Sequence, residues 1–168
     1  MSRQYRLGRR QASVDRTAEK ILAAARGQLE LGAGLSVGAL ARAAGVTRAT
    51  IYNRFGSRAE LLRSLAPPAG APAPDLQEFL AARCSRWAAS PALYRHLPEG
   101  DDSPAARLLA EDLARADALR PGCSIREAQD VIAALGSFPM FDRLHQDGRR
   151  SVSAVGEILM RLARGILT

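Results

Sequence analysis

Apolar residues recur at helical spacing along almost the whole chain. From Asp15 to Leu31, Ile21, Leu22, Ala25 and Leu29 share one side of a 3.6-residue period, with Arg16, Glu19, Lys20 and Arg26 on the other faces. The spacing predicts an amphipathic helix over 15–31, ended by Gly32-Ala33-Gly34. Ser36 is placed to cap a second helix over 37–43 that buries Val37, Leu40 and Ala41. Gly45 supplies a turn, because glycine tolerates a positive φ. Thr47 then caps a short helix to Asn53, closed by Phe55-Gly56. Ser57-Arg58-Ala59-Glu60 reads as a capping box opening a fourth helix with Leu61, Leu62 and Leu65. The run PPAGAPAP from Pro67 to Pro74 breaks the pattern and reads as a linker.

Helical periodicity resumes behind Asp75, with Glu78 in the box position and Leu76, Phe79, Leu80, Cys84 and Trp87 near one face. A loop follows around Pro91 to Asp102. Ser103-Pro104 opens a helix carrying Leu108, Leu109 and Leu113, which Pro121-Gly122 breaks. Behind the box Ser124–Glu127, Ile125, Ala128, Ile132 and Leu135 step by 3, 4 and 3. The final helix, 151–167, steps 3, 4, 3, 4 through Val152, Val155, Leu159, Leu162 and Ile166. Both are narrow seams of the coiled-coil or bundle type. They suit pairing with their copies in a second chain, where Gly136, Gly156 and Ala163 allow close approach, and equally packing inside one chain. The elements predict an all-α protein with an N-terminal domain over 1–66 and a helical C-terminal domain over 75–168.

Composition narrows the class. With 168 residues and 47% hydrophobic content, the chain can bury a core of one or two small domains. It has few runs of Val, Ile and Thr that would form strands. No apolar stretch approaches the roughly 20 residues that span a bilayer. The first residues, MSRQYRLGRRQASVDR, are basic without an apolar core, unlike a secretory signal, so a cytoplasmic protein is expected. Cys84 and Cys123 fit no metal spacing and no CxxC pattern. They read as buried, reduced thiols, with a redox-sensing pair as the alternative.

The distribution of charge says more than its total. The whole chain carries a net +7, but residues 1–66 hold 12 Lys and Arg against 4 Asp and Glu, and residues 67–168 hold 12 against 13. The positive field belongs to the N-terminal part, as expected of a polyanion-binding module joined to a near-neutral one.

Two short helices joined by a Gly turn make a helix-turn-helix, with 37–43 as the positioning helix and 47–53 as the recognition helix. Ile51 points inward, leaving Arg48, Ala49, Thr50, Tyr52 and Asn53 largely outside. A helix that enters the major groove carries side chains of this kind, because they meet base edges and phosphates. Arg48 suits the O6 and N7 of guanine, and Asn53 an adenine or a phosphate. Ala49 and the Thr50 methyl suit a thymine methyl. The hydroxyls of Ser36, Thr47 and Tyr52, and the guanidinium of Arg58, suit phosphate oxygens. Arg3, Arg6, Arg9 and Arg10 form a basic arm that can add backbone or minor-groove contacts.

The stretch RTAEKILAAARGQLELGAGLSVGALARAAGVTRATIYNRFGSRAELLRSL resembles the DNA-binding region of TetR-family (TetR/AcrR-type) bacterial transcriptional regulators. The matching features are ILAAA, Gly32, the Ser36-capped helix with Leu40-Ala41, and AAGVTRATIYNRF followed by SRAELL; they cover about residues 14–66. The resemblance implies an all-helical homodimer on a palindromic operator in double-stranded DNA, usually a repressor released by a small ligand. Carried over by position, it implies backbone contacts by Thr47, Tyr52 and Arg58. Arg48, Ala49, Thr50 and Asn53 lie where the family's sequence-reading residues vary. Arg58 replaces a more usual Lys, and Ala49 a common Gly. Pro67-Pro68 stops the fourth helix early, at the link between head and ligand domain, and the C-terminal region is short for the family.

The C-terminal half has no motif of its own. Phe79, Trp87, Tyr94, Phe138, Met140 and Phe141 are candidates to line a pocket for a small apolar or amphipathic ligand, or to be plain core. With the resemblance, the two seams are candidates for a homodimer interface: Ile125, Ala128, Ile132 and Leu135, and Val152, Val155, Leu159, Leu162 and Ile166. His96 and His145 lack the neighbours of a metal site or triad, and no cofactor is expected. The alternatives are a regulator of the same fold controlled by a protein partner, and a small helical enzyme with an acidic substrate. The second has no P-loop, metal cluster or activated nucleophile behind it, so an enzyme is not expected.

Overall fold

The computed structural model describes residues 3–32, 34–68, 73–98 and 103–167, with side chains omitted for 3–14 and Ser103. Among these residues the chain is all-helical: α1 Arg3–Glu30, α2 Val37–Ala44, α3 Arg48–Phe55, α4 Arg58–Leu65, α5 Leu76–Ala89, α6 Pro91–Tyr94, α7 Ser103–Arg115, α8 Ile125–Leu135, α9 Phe138–Asp142 and α10 Val152–Ala163. A π-helical turn, Arg143–Asp147, continues α9. None of the described helices is long and apolar enough to cross a membrane.

The chain forms two compact units. The first holds the described residues up to Pro67 together with Arg95–Pro98; the second holds those of 68–94 and 99–168.

In the first unit, Ile21, Ala25 and Leu29 of α1, Leu40 and Ala41 of α2, Ile51 of α3, and Leu61, Leu62 and Leu65 of α4 are buried. These are apolar positions of the periodic pattern, of which Leu22 and Val37 are only half-buried. Two short helices of eight residues cannot hold themselves in water, so α1 and α4 supply the surface that keeps them folded. Each is also capped. Ser36 Oγ accepts from Ala39 N–H at 3.4 Å and Thr47 Oγ1 from Thr50 N–H at 3.1 Å. Gly45 closes α2 in the left-handed region at φ 66°, and Gly56 closes α3 at φ 74°.

The helix limits differ from the periodic pattern in places. α1 begins at Arg3 rather than near Asp15, so the backbone of the basic arm is helical; the side chains of Arg3, Arg6, Arg9 and Arg10 lie outside the described residues. Ala33, in the Gly32–Gly34 turn, also lies outside them. The box at Ser57 is half made. Ser57 Oγ accepts from Glu60 N–H, but Ser57 N–H goes to Phe55 O at 2.8 Å and the Glu60 carboxylate pairs with Arg63.

In the second unit, α7 packs on α8, and α10 packs on α5 and α8. Leu76, Phe79, Leu80, Cys84, Trp87, Leu109, Ala128, Ile132, Leu135, Phe141, Val155, Leu159 and Ile166 form its core. α10 stops at Ala163. The chain then turns so that Leu119 bridges Leu167 and Arg120 N–H donates to Ile166 O at 3.0 Å, tying the last residues to the α7–α8 connection.

The two seams therefore lie differently from a dimer surface. Ala128, Ile132, Leu135, Val155, Leu159 and Ile166 are buried within one chain, while Ile125 and Leu162 stand 46% and 49% exposed. A 3-4 stripe marks a face that must be covered without saying which chain covers it; here α5 and α7 do so. The small residues follow suit. Ala163 is fully buried, and a Cβ on Gly136 would lie 2.8 Å from Phe79 Cε1 of the same chain. Gly156 alone of the three has open space above it.

Candidate nucleic-acid interface

The candidate reading surface is built on α3. Ile51, 2% exposed, is the buried residue that fixes the helix to the head. Arg48, Ala49, Tyr52, Asn53 and Arg54 are exposed and Thr50 is half-buried. Tyr52 is 47% exposed, much for a residue with a large apolar ring. Ser36 and Thr47, also exposed, stand at the starts of α2 and α3.

The candidate residues are held to different degrees. Thr47 Oγ1 is 2.8 Å from Thr50 Oγ1 in addition to capping α3, so both hydroxyls are engaged with each other. That bond uses one of the two hydroxyl protons, so one of the pair keeps a donor for a phosphate, and the Thr50 methyl stays available for an apolar contact. Arg58 donates through Nε to Leu35 O at 3.2 Å, across the α1–α2 connection. That bond anchors the guanidinium and leaves its two terminal nitrogens for an anion. Ser36 N–H donates to Gln28 Oε1 at 3.2 Å, so the same connection is also tied to α1.

Two residues of this surface lay outside the sequence reading. Arg54, in the last turn of α3, pairs through Nη2 with Asp15 Oδ1 of α1 at 3.3 Å. Gly38, in the first turn of α2, lies under the Arg48 guanidinium: a Cβ there would be 2.7 Å from Arg48 Nη2 and 3.3 Å from Cζ and Nε. The available signal was glycine itself, which needs a reason inside a helix. Among the described residues, neither Arg48 nor Arg42 has an ion pair.

The candidate ligand residues pack mostly on one another. Trp87 meets Phe141 at 5.4 Å and Phe138 at 6.0 Å between ring centroids, and Tyr94 meets Phe138 at 5.7 Å. Phe141 is fully buried and stacks on His145 at 5.0 Å; Met140 packs against the same core. Phe79 lies under the guanidinium of Arg83, 4.5 Å from the ring centroid. Arg83 is itself buried, donating through Nη1 to Gly136 O at 2.9 Å. Among the described residues the buried Tyr94 hydroxyl has no hydrogen-bond partner, and burial pushes it above the usual phenol range although Arg86 pulls the other way.

A partly open groove of about 760 Å³ lies elsewhere in this unit, between α5 and α10, lined among others by Gln77, Cys84, Val152, Gly156, Glu157 and Arg161. None of the six aromatic and methionine candidates lines it. Cys84 and Cys123 are free thiols, Cys84 buried and Cys123 only half-buried. Desolvation pushes the Cys84 thiol up to about 11, which makes it unreactive.

Comparison with known proteins agrees with this geometry. Residues 21–65 match the model of bacterial regulatory proteins of the tetR family. No curated protein matches the sequence significantly. Among solved structures, native NalD, the secondary repressor of the MexAB-OprM multidrug efflux pump in Pseudomonas aeruginosa, superposes with a TM-score of 0.67 at 21% identity. It covers 92% of this chain and 98% of that one. A TetR-family transcriptional regulator from Haemophilus influenzae, HI0893, superposes at 0.55 with 21% identity, over 94% and 100% of the chains. A linker-substituted mutant of HlyIIR gives 0.57 at 16% identity, over 92% and 97%. Residues 21–65 are thus similar to the DNA-binding region of tetR-family regulatory proteins, and the chain has a TetR-like fold.

Proposed function

We propose that the protein is a sequence-specific regulator of transcription, acting in the cytoplasm as a homodimeric repressor on a palindromic operator and released by a small apolar or amphipathic molecule. The observation that carries the DNA-binding part is the outer face of α3. Ile51 holds the helix, and Arg48, Ala49, Tyr52 and Asn53 are left to the surface of a head whose sequence carries a net +8 over residues 1–66. Arg48, Ala49, Thr50 and Asn53 are assigned to the bases, and Ser36, Thr47, Tyr52 and Arg58 to the phosphates. A palindrome needs two heads in two-fold symmetry. With most seam residues inside the core, the exposed Ile125 and Leu162 and the α5–α10 groove become the surfaces for a second copy. The Tyr94 hydroxyl, without a hydrogen-bond partner among the described residues and beside Phe138 and its neighbours, supports a ligand that brings one polar atom to an aromatic bed.

The test is a fluorescence titration against DNA from immediately upstream of the protein's own gene, with scrambled DNA of equal length, at two salt concentrations. The expected result is a preference of about a thousandfold or more, two chains per site, and affinity that falls steeply with salt. Absence of binding to either DNA at low salt overturns the reading.

A second reading keeps the same head but replaces the small ligand by a protein partner. It is favoured by the mutual packing of Trp87, Tyr94, Phe138 and Phe141, which engages the candidate ligand residues with one another. A screen of apolar and amphipathic compounds for release of the protein from its operator separates the two.

A further inference from the structure

The most informative close approach in the head lies between α2 and α3. The Arg48 guanidinium rests over Gly38, so close that a Cβ there would be 2.7 Å from Nη2. Arg48 is exposed, and among the described residues it has no hydrogen bond or ion pair that would hold it in this place. What defines its position is the space that glycine leaves on α2. Glycine is a poor choice there on helix grounds alone, since alanine stabilises the same position in a helix.

We infer that Gly38 is a specificity-determining residue for DNA reading, acting by seating the guanidinium of Arg48 on α2. The inference rests on the DNA-binding reading above and adds to it a residue that touches no base itself. With the seat open, Arg48 presents its donors on the α2 side of the reading surface. With a side chain at 38, the guanidinium must move by more than half an ångström to reach ordinary van der Waals separation. The clashing atoms are the far end of a flexible side chain, so they swing aside without disturbing the helix. An arginine reads guanine through two parallel hydrogen bonds whose geometry is fixed by its planar fork, and displacement breaks that match.

Gly38→Ala is therefore a substitution that preserves the fold and redirects Arg48. The experiment has two arms. In protein without DNA, the Nε–Hε resonance of Arg48 is assigned by its loss in Arg48→Ala and compared between the native protein and Gly38→Ala. In the second arm, a half-site is selected from random duplexes with the native protein. Preference over single-base variants is then measured for the native protein, Gly38→Ala, Arg48→Ala and the double variant. The expected result is a shifted Arg48 resonance and a melting temperature equal to or above native. Preference at one base pair per half-site should fall by roughly tenfold. Gly38→Ala should have less than about a twofold effect once Arg48 is gone, because the two residues act as a unit.

An unmoved resonance overturns the seat. A moved resonance with native preference overturns its role in specificity, as does a loss that persists in the Arg48→Ala background. A native protein that selects no sequence from the pool overturns the DNA-binding reading, and the specificity role with it, while the resonance arm still reports on the seat.

Discussion

Thr47 Oγ1 lies 3.1 Å from Thr50 N and 2.8 Å from Thr50 Oγ1, so one hydroxyl both starts α3 and holds its neighbour's side chain. Thr47→Ala removes the cap and should cost about 1 kcal/mol of stability, with weaker binding to all DNA sequences. Thr47→Ser keeps the oxygen and should retain most of both. Urea denaturation of the three proteins checks the order; a Thr47→Ala protein as stable as the native one would show that the cap contributes nothing.

Two glycines of the head should respond in opposite directions to the same change. Gly45 sits at φ 66° with nothing within 4 Å of a Cβ, so Gly45→Ala meets no clash, only left-handed strain, and should destabilise by about 1–2 kcal/mol. Gly27 lies within α1 and also has open space, so Gly27→Ala should stabilise by up to about 1 kcal/mol. Thermal melting of both variants reads the contrast directly.

Arg83 is a buried cation between the rings of Phe79 and Trp87, with Nη1 on Gly136 O. A lysine offers neither the planar face nor the reach of the fork. Arg83→Lys should lose roughly 2 kcal/mol, the order of a charged hydrogen bond to a buried carbonyl. A midpoint in urea within error of the native protein would place the guanidinium's contribution near zero.

Cys84 gives the protein an alkaline limit. Its thiol, 1% exposed, is pushed up from 9.0 to about 11, so the native state holds its proton after the unfolded chain has lost it. The contribution is complete below pH 9 and is lost as pH rises towards 11, a fall on the order of 2 to 3 kcal/mol. Tyr94, also pushed up, adds loss in the same direction. Cys84→Ala should be less stable at pH 8 but show a flatter decline between pH 9 and 11, read by melting temperature. An equally steep decline would remove the thiol from the account. In the native protein at pH 8, a thiol reagent should modify the half-buried Cys123 and leave Cys84 intact.

The head was legible because each of its short helices writes its limits in local chemistry. Ser36, Thr47 and Ser57 cap, Gly45 and Gly56 close, and Ile51 interrupts an otherwise polar helix. The C-terminal unit was legible only as helices. Its 3-4 stripes specify a buried face, and Ala128, Ile132, Val155 and Leu159 do occupy one, but choosing the covering helix requires tertiary information that a stripe lacks. The tight fit of Gly136 against Phe79, the burial of Arg83 and the seat of Arg48 on Gly38 share that character. They are contacts between different helices, invisible to the periodicity of any one of them.

The first compact unit is discontinuous: it takes in Arg95–Pro98 as well as the residues before Pro68, and His96 rests 3.7 Å from where a Cβ on Gly34 would lie. A gene cut at the proline-rich linker would therefore not yield a complete head, because the piece left behind carries part of it. Cassette exchange, in which the reading module of one regulator is grafted onto the sensor of another, would have to bring along the donor's own four-residue patch to complete the transplanted module. The polypeptide thus constrains recombination at a point where its composition invites it.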